Sequence, residues 1–178
     1  DSDDLSALKT GSMRVQVTEL AQKDVWQSDL ITDKNKTDTV NAGIITINGK
    51  DIDTNGKSYS DVVKEINKID GVQASLVENS AGEFRLSIKS TETGAANKIN
   101  FNTKDTSGND LGVSVGAAKL FGDGSILNDD LNVLKAQDME LTADGVNYSS
   151  SSNTVTIDGL KITATKETGD STINIEND

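Results

Sequence analysis

The sequence contains no cysteine, no histidine and no proline. Without cysteine no disulfide framework can form, and without cysteine and histidine the ordinary zinc sites are excluded. Ser-His-Asp and Cys-His nucleophilic catalysis are excluded within this chain for the same reason. A chain without proline also avoids slow cis–trans isomerisation during refolding.

Apolar side chains are scarce, at 34% of the sequence, and aromatic ones make up only 3%. The core must therefore be built from Val, Ile and Leu in small elements, which favours thin β-rich layers. The longest apolar runs are a few residues, far below the ~20 needed to span a bilayer as a helix, so we expect a soluble chain. The 178 residues begin at Asp1 without an initiator Met or signal peptide, which we interpret as a piece of a longer protein.

The charge balance is strongly acidic, with 17 basic and 29 acidic residues and a net charge of −12. No basic stripe is available to neutralise phosphates, so neither nucleic acid nor an anionic membrane is expected as a partner. The many acids make accidental carboxylate pairs certain, and the chain lacks the aromatic platforms typical of sugar-binding clefts. We therefore predict no glycoside-cleaving carboxylate pair and no enzyme activity.

Turn dipeptides between β-branched runs predict three hairpins, at Asn48-Gly49, Asp144-Gly145 and Asp158-Gly159. Both central residues of a type I′ turn need positive φ, which Asn, Asp and Gly tolerate best. The last two hairpins are close in sequence and alternate apolar with polar residues around a loop at 149–153, which predicts one small antiparallel sheet. Met13, Val15 and Val17 alternate in the same way and predict an opening strand.

A short helix is predicted near 58–69, because Ser58 and Asp61 have the spacing of a capping box and apolar residues follow at helical intervals. Gly71 would end it. Strands are predicted at Val72–Val77 and Phe84–Ile88, with a further one at Ile99 and Phe101. A brief helical turn is predicted within residues 19–25, and the polar, Gly-rich stretch 102–130 is predicted to be loops with one short strand or helix.

The stretch Asp51–Asp61 resembles a helix–loop–helix calcium loop in part. Asp51, Asp53 and Asn55 occupy the first three ligand positions and Gly56 the turn position. The closing position, however, is Val62, and the preceding run is strand-like where a helix is required. We therefore interpret the stretch as strand, turn and capped helix, and predict no metal site.

Two further patterns are interpreted conservatively. Asn35 and Asn147 lie in glycosylation-like motifs, which we attribute to chance. Trp26, the single tryptophan, is expected to be partly buried beside a domain edge, and not to be a contact anchor. No catalytic, cofactor-binding, metal-binding or interface residue is assigned, and no cofactor is expected.

Several segments together resemble the bacterial flagellar filament cap proteins, also called flagellar hook-associated protein 2. The opening segment Ser12–Gln22 resembles the start of their exposed region. Segments resembling an insert that they share with flagellins are Thr46–Gly49, Ser58–Asn67, Gly71–Ser75, Leu86–Ser90 and Thr93-Gly94. The segment Ala136–Val146, followed by Ser152-Asn153 and Asp158–Leu160, resembles the part that distinguishes caps from flagellins.

The resemblance implies a mainly β (α+β) fold with two β-rich domains of antiparallel strands. Residues 1–42 and 131–178 would form one discontinuous domain, and 43–130 an inserted domain that carries the helix near 58–69. The terminal helical parts of the cap are missing from this chain. Asp1–Thr10 is polar and is expected to be disordered.

The implied function is structural. A cap oligomer sits extracellularly at the distal tip of the flagellar filament and promotes folding and insertion of exported flagellin. Flagellin and further copies of the full-length protein are the implied partners, with the fragment itself monomeric, and adhesion to host surfaces is a second implied role. The alternatives are a flagellin variable domain or another extracellular surface or adhesin domain.

Overall fold

The structure, a computed structural model, describes residues 11–167 and 171–175. The expectation of disorder over Asp1–Thr10 lies outside the described residues. In chain order the elements are β1 (Gly11–Glu19), β2 (Val25–Gln27), β3 (Ile44–Ile47), β4 (Lys50–Asp53), α1 (Tyr59–Ile66), β5 (Val72–Glu78), β6 (Phe84–Ser90), β7 (Asn102–Lys104), β8 (Asp110–Val113), α2 (Val115–Leu120), β9 (Met139–Ala143), β10 (Val146–Ser150), β11 (Thr154–Ile157), β12 (Leu160–Thr163) and β13 (Ser171–Ile175).

Antiparallel strands dominate the chain, at 42% strand against 13% helix, which confirms the predicted mainly β class. By contact the chain divides into two units. Of the described residues, unit 1 contains those up to Gln22, Glu92–Ala96 and those from Ala136 onward, and unit 2 contains Lys23–Thr91 and Asn97–Lys135. Residues 23–42, grouped above with the N-terminal segment, lie in unit 2 by this measure. The division into domains 1–42 with 131–178 and 43–130 stays a prediction.

Unit 1 is built on a four-stranded antiparallel sheet in the order β10-β9-β1-β13. The predicted opening strand is its second inner member, and Val15 and Val17 are paired with Ala143 and Leu141 of β9. Strand alternation explains the core, because every second residue of β1 faces inward. Among the side chains that the structure describes in this unit, the core contains Met13, Val15, Val17, Ala21, Met139, Leu141, Ala143, Ile157 and Ile162.

The two C-terminal hairpins are both formed, with φ of 50° at Asp144 and Asp158 followed by Gly at about 80°. They do not form one sheet as predicted: β9–β10 belongs to the four-stranded sheet, and β11–β12 is a separate two-stranded sheet. The second hairpin is held by packing and not by pairing with β10, because Ile157 and Ile162 lie in the same core as the four-stranded sheet. Val146 of β10 is 53% exposed, so the alternation there does not bury it.

Unit 2 contains the sheet β2-β6-β5, the hairpins β3–β4 and β7–β8, and both α-helices. The Ser58 side chain accepts a hydrogen bond from the Asp61 backbone N–H at 3.1 Å, which is the N-cap interaction expected from the sequence. Helix α1 ends at Ile66, three residues before the predicted limit, and Gly71 follows at φ +88°. Its apolar face, Tyr59, Val62 and Ile66, is buried.

Three local predictions in unit 2 and at its start were wrong. Residues 19–25 contain no helical turn, because Val25 starts strand β2 and pairs with Lys89 of β6. Ile99 and Phe101 are buried, but they precede β7 instead of forming a strand. The stretch 102–130 holds two strands and helix α2, more regular structure than its polar composition indicated.

Candidate functional site

In the stretch that resembles a calcium loop, Asp51 and Asp53 accept hydrogen bonds from residues nearby in sequence. Asp51 accepts a hydrogen bond from the Thr46 hydroxyl at 2.8 Å, and Asp53 accepts one from the Asn55 backbone N–H at 3.0 Å. Strand β4 ends at Asp53 and α1 begins at Tyr59, as the interpretation of strand, turn and capped helix required. Over the described ranges, no group of three or more acidic side chains is arranged to hold a metal ion.

Trp26 lies in the core of unit 2, with 3% of its surface exposed, so the prediction of a partly buried edge position was wrong. Its ring meets Phe101 edge-on with centroids 5.6 Å apart and Phe121 at 6.2 Å, while the two phenylalanines stack at 5.3 Å. Such edge-on and stacked pairs add to the stabilisation from burial. Because the three aromatic residues come from distant segments, local sequence patterns gave no signal for this cluster.

A buried carboxylate ties together the segments by which the chain enters and leaves unit 2. Asp24 is 1% exposed, and it accepts hydrogen bonds from the Ile99 backbone N–H at 2.8 Å and from the Asn132 amide at 2.9 Å. The Asp24 backbone also exchanges hydrogen bonds with Ser90, at 2.8 and 2.9 Å. Each partner lies within three residues of a point where the chain crosses between units. We call this arrangement the Asp24 clasp.

Unit 1 has its own tie, made by the short segment Glu92–Ala96. The Thr93 hydroxyl donates to the Ser151 carbonyl at 2.6 Å, and the Ala95 N–H donates to the Asp138 carboxylate at 2.9 Å. Gly94 has φ +106°, and a Cβ there would lie 2.8 Å from the Ser151 Cβ. Only glycine combines this backbone conformation with so close an approach. The resemblance had drawn attention to Thr93-Gly94 without giving this packing as the reason.

Most large apolar side chains left exposed in the described ranges belong to unit 2. Ile44 is 46% exposed and Val115 57%, and they come from neighbouring elements, since a Cβ on Gly116 would lie 2.8 Å from the Ile44 backbone. The others in this unit are Val77, Leu111, Ile126, Val133 and Leu134. Single exposed apolar residues are common on folded proteins, so only the neighbouring pair Ile44 and Val115 forms a local apolar surface here. Sequence patterns assigned no interface residue, because these residues are scattered along the chain.

Exposed turns of unit 2 are organised by aspartates. The Asp105 carboxylate accepts hydrogen bonds from the backbone N–H groups of Asn109 and Ser107, at 2.8 and 2.9 Å, and these bonds lower its pKa. At Asp123, bonds from the Ile126 and Ser125 N–H groups lower the pKa in the same way. A carboxylate that accepts several N–H bonds is stabilised in its charged form. These acids shape turns and keep the surface negative.

Asn35 and Asn147, the asparagines of the two glycosylation-like motifs, are both exposed.

The chain was compared with family models, curated proteins and solved structures. No family model matches the chain. Flagellar hook-associated protein 2 of Campylobacter jejuni subsp. jejuni serotype O:2 is 30% identical to it over 209 aligned positions, covering 97% of the chain and 32% of the relative. The chain thus spans about a third of the length of this curated relative.

Two solved structures share the fold. The crystal structure of the D2-D3 domains of the Escherichia coli flagellar cap protein FliD has a TM-score of 0.69 at 26% identity, covering 96% of this chain and 90% of that one. FliD (HAP2) from Pseudomonas aeruginosa PAO1 has a TM-score of 0.65 at 23% identity, covering 96% and 81%.

Fold and sequence together place the chain among the structural proteins of the bacterial flagellum. The curated relative and the solved structures support a fragment of a flagellar cap protein, also named flagellar hook-associated protein 2, and the chain is similar over nearly its whole length to the D2-D3 domains. Proteins of this kind form the cap at the distal tip of the extracellular filament, so the predicted location is confirmed. No helix among the described residues is long and apolar enough to cross a membrane. The relatives are structural cap proteins, and the absence of enzyme activity in this chain stays a prediction.

Proposed function

We propose that the full-length protein containing this chain caps the growing filament and promotes the folding and insertion of exported flagellin subunits. The observation that carries the proposal is the extent of the match, because the chain covers 90% of the E. coli D2-D3 structure and nothing large is added or missing. In this proposal flagellin and further copies of the full-length protein are the partners, and this region alone is monomeric. In this proposal the protein makes and breaks no covalent bond, and it acts through protein–protein interfaces and by enclosing a space in which flagellin folds.

The structure is suited to that role. In this proposal the neighbouring exposed side chains Ile44 and Val115 of unit 2 are available to contact other proteins, while the net charge of −12 keeps the extracellular surface soluble. Because the chain has no cysteine and no proline, its folding after export requires neither disulfide formation nor slow proline isomerisation. A flagellin variable domain would share several of these properties, and so would an extracellular adhesin domain. The sequence match to a cap protein over nearly the whole chain favours the cap.

The test is complementation of a bacterium whose cap gene is deleted. The full-length parent of this chain should restore filaments under electron microscopy and reduce the flagellin lost to the medium as monomer. A parent carrying Asp24→Ala, which breaks the clasp of unit 2, should restore fewer filaments at equal secretion, and Asp29→Ala, an exposed neighbour, serves as the matched control.

Two outcomes would point elsewhere. If filaments stay absent and the parent instead polymerises by itself, the chain is a flagellin-type domain. If filaments are restored in every variant but attachment to host cells is lost only with Asp24→Ala, this region serves adhesion and not capping.

A further inference from the structure

The edge strand β5 of unit 2 directs part of its backbone away from the sheet. On β6, Leu86 exchanges hydrogen bonds with Ser28, accepting from the Ser28 N–H at 2.9 Å and donating to its hydroxyl at 2.9 Å. Leu86 therefore does not bond to β5, although it is paired with Leu76. In an antiparallel ladder bonded and non-bonded pairs alternate, so Ala74 and Leu76 both point their N–H and C=O groups outward.

The side chain of Asn67 occupies one of these outward positions. Asn67 follows helix α1 directly, and its Oδ1 accepts from the Ala74 N–H at 2.7 Å while its Nδ2 donates to the Ala74 carbonyl at 3.1 Å. These are the two hydrogen bonds that a residue of a neighbouring strand would make. The carboxamide therefore takes the place of a strand at Ala74.

The far end of β5 is protected by charge, since Glu78 forms an ion pair with Lys36 at 2.8 Å. Between the two, no hydrogen bond of the described residues reaches the outward groups of Leu76. One open residue cannot support a strand pair, but Ala74 and Leu76 together would offer four groups to a second strand.

The sequence of β5 is itself suited to pairing with an identical strand. The six residues Val72–Val77 carry no charge, no proline and no glycine. Short uncharged segments of this kind pair readily with copies of themselves when an edge is open. A second copy of this chain is therefore the partner that the edge would accept.

We propose that Asn67 keeps β5 from pairing with β5 of a second copy, and that its removal creates a two-fold antiparallel strand pair centred on Ser75. In that pair Ala74 lies opposite Leu76 of the second copy and Leu76 opposite Ala74, which gives four backbone hydrogen bonds. The two Ser75 residues then face each other at a non-bonded position, where Cα atoms are about 4.5 Å apart.

Because the chain has no cysteine, a single introduced thiol reports this geometry. In the variant Asn67→Ala with Ser75→Cys, mild oxidation should give a disulfide-linked dimer, since the spacing lies within disulfide range. Ser75→Cys alone should stay largely monomeric. The matched control is Asn67→Ala with Val77→Cys: residue 77 also lies exposed, but its two copies would be about 13 Å apart in the proposed pair and should not link.

Association without the thiol is measured by analytical ultracentrifugation. Asn67→Ala should shift toward dimer with rising concentration, by at least tenfold in the association constant relative to the parent chain. Adding Ser75→Lys should reverse the shift, because like charges would face each other on the two-fold axis. Lys68→Ala, which removes an exposed neighbour that bonds to Glu65, should leave association unchanged.

Circular dichroism and the melting temperature establish that each variant is folded, and Asn67→Asp provides a second test. Aspartate keeps an acceptor for the Ala74 N–H and places a charge at the edge, so it should remain monomeric. A folded Asn67→Ala variant that stays monomeric and uncrosslinked overturns the proposal. Equal crosslinking through positions 75 and 77 overturns it too, because random collision then explains the dimer.

Discussion

The Asp24 carboxylate accepts a hydrogen bond at 2.8 Å from the backbone N–H of Ile99, a residue 75 positions further along the chain. Asp24 and Ile99 are both buried, so if this hydrogen bond were broken, water could not replace the lost partner of either group. With Asn132 on its other oxygen, Asp24 holds segments that sequence separation keeps far apart in the unfolded chain. Asp24 therefore links three segments of unit 2 that are distant in sequence.

Asp24→Ala should lower the free energy of unfolding by about 3 kcal/mol, because a buried N–H and a buried amide lose a charged acceptor. Asp24→Asn should cost less, since one oxygen remains to accept from the Ile99 N–H. Equilibrium urea unfolding, followed by the fluorescence of Trp26, measures both. Asp29→Ala is exposed and should change stability by less than about 0.5 kcal/mol. Equal stability of Asp24→Ala and Asp29→Ala would contradict the clasp.

Gly94→Ala should destabilise unit 1 by roughly 2 kcal/mol or more. Two costs add: the strain of an alanine at positive φ and the steric overlap of its methyl group with Ser151. The added methyl group would meet the Ser151 side chain and backbone at 2.8 to 2.9 Å. Gly108→Ala is the matched control, because Gly108 also has positive φ but has open space around it. Its cost should be limited to the left-handed conformation, about 1 kcal/mol. Differential scanning calorimetry distinguishes the two; similar melting temperatures would show that overlap at Ser151 is unimportant.

Trp26→Ala should cost about 3 to 5 kcal/mol, the range for removing a large buried aromatic side chain. Trp26→Phe should cost much less, because the indole N–H has no hydrogen-bond partner in the structure and its loss removes a buried unpaired donor. The native emission of Trp26 should be blue-shifted and resistant to iodide quenching. Emission near that of the unfolded chain would show that the residue is exposed after all.

Acid should weaken the turn between β7 and β8 when the Asp105 carboxylate becomes protonated, below the pH at which an ordinary aspartate titrates. Hydrogen bonds from Asn109 and Ser107 lower the pKa of Asp105 in the folded state. Its ionised form therefore stabilises the folded chain above the ordinary aspartate pKa, and this contribution is lost as the pH falls through the lowered folded value. NMR titration of the Asp105 carboxyl in folded and urea-unfolded protein should show the lower value in the folded chain. Asp105→Asn should remove the acid-dependent change in the Asn109 amide signal.

Sequence patterns predicted elements whose cause is local. The three hairpins follow from pairs such as Asn48-Gly49, because positive φ at both positions is a property of those two residues. Helix α1 follows from Ser58, whose side chain meets an N–H three residues away. The resemblance added the family and the function class, which composition alone left open.

What local patterns missed depends on distant partners. Strand β2 has three residues and exists because β6 pairs with it, and the buried position of Trp26 depends on Phe101 and Phe121. Helix α2 contains Gly116, a poor helix former that is needed where the helix approaches the Ile44 backbone. The separate sheet β11–β12 likewise depends on tertiary packing, since Ile157 and Ile162 lie in the core of unit 1.

The return of residues 92–96 to unit 1 limits how genes for such proteins can exchange parts. A recombined gene segment that covers 23–135 would bring a new unit 2. It would also carry the five residues 92–96, in which Gly94 packs against Ser151 of unit 1. A chimera made in this way inherits a foreign piece in the middle of its own unit 1. Exchange between relatives should therefore succeed only when donor and recipient agree at Thr93, Gly94 and Ser151, however different the rest of unit 2 has become.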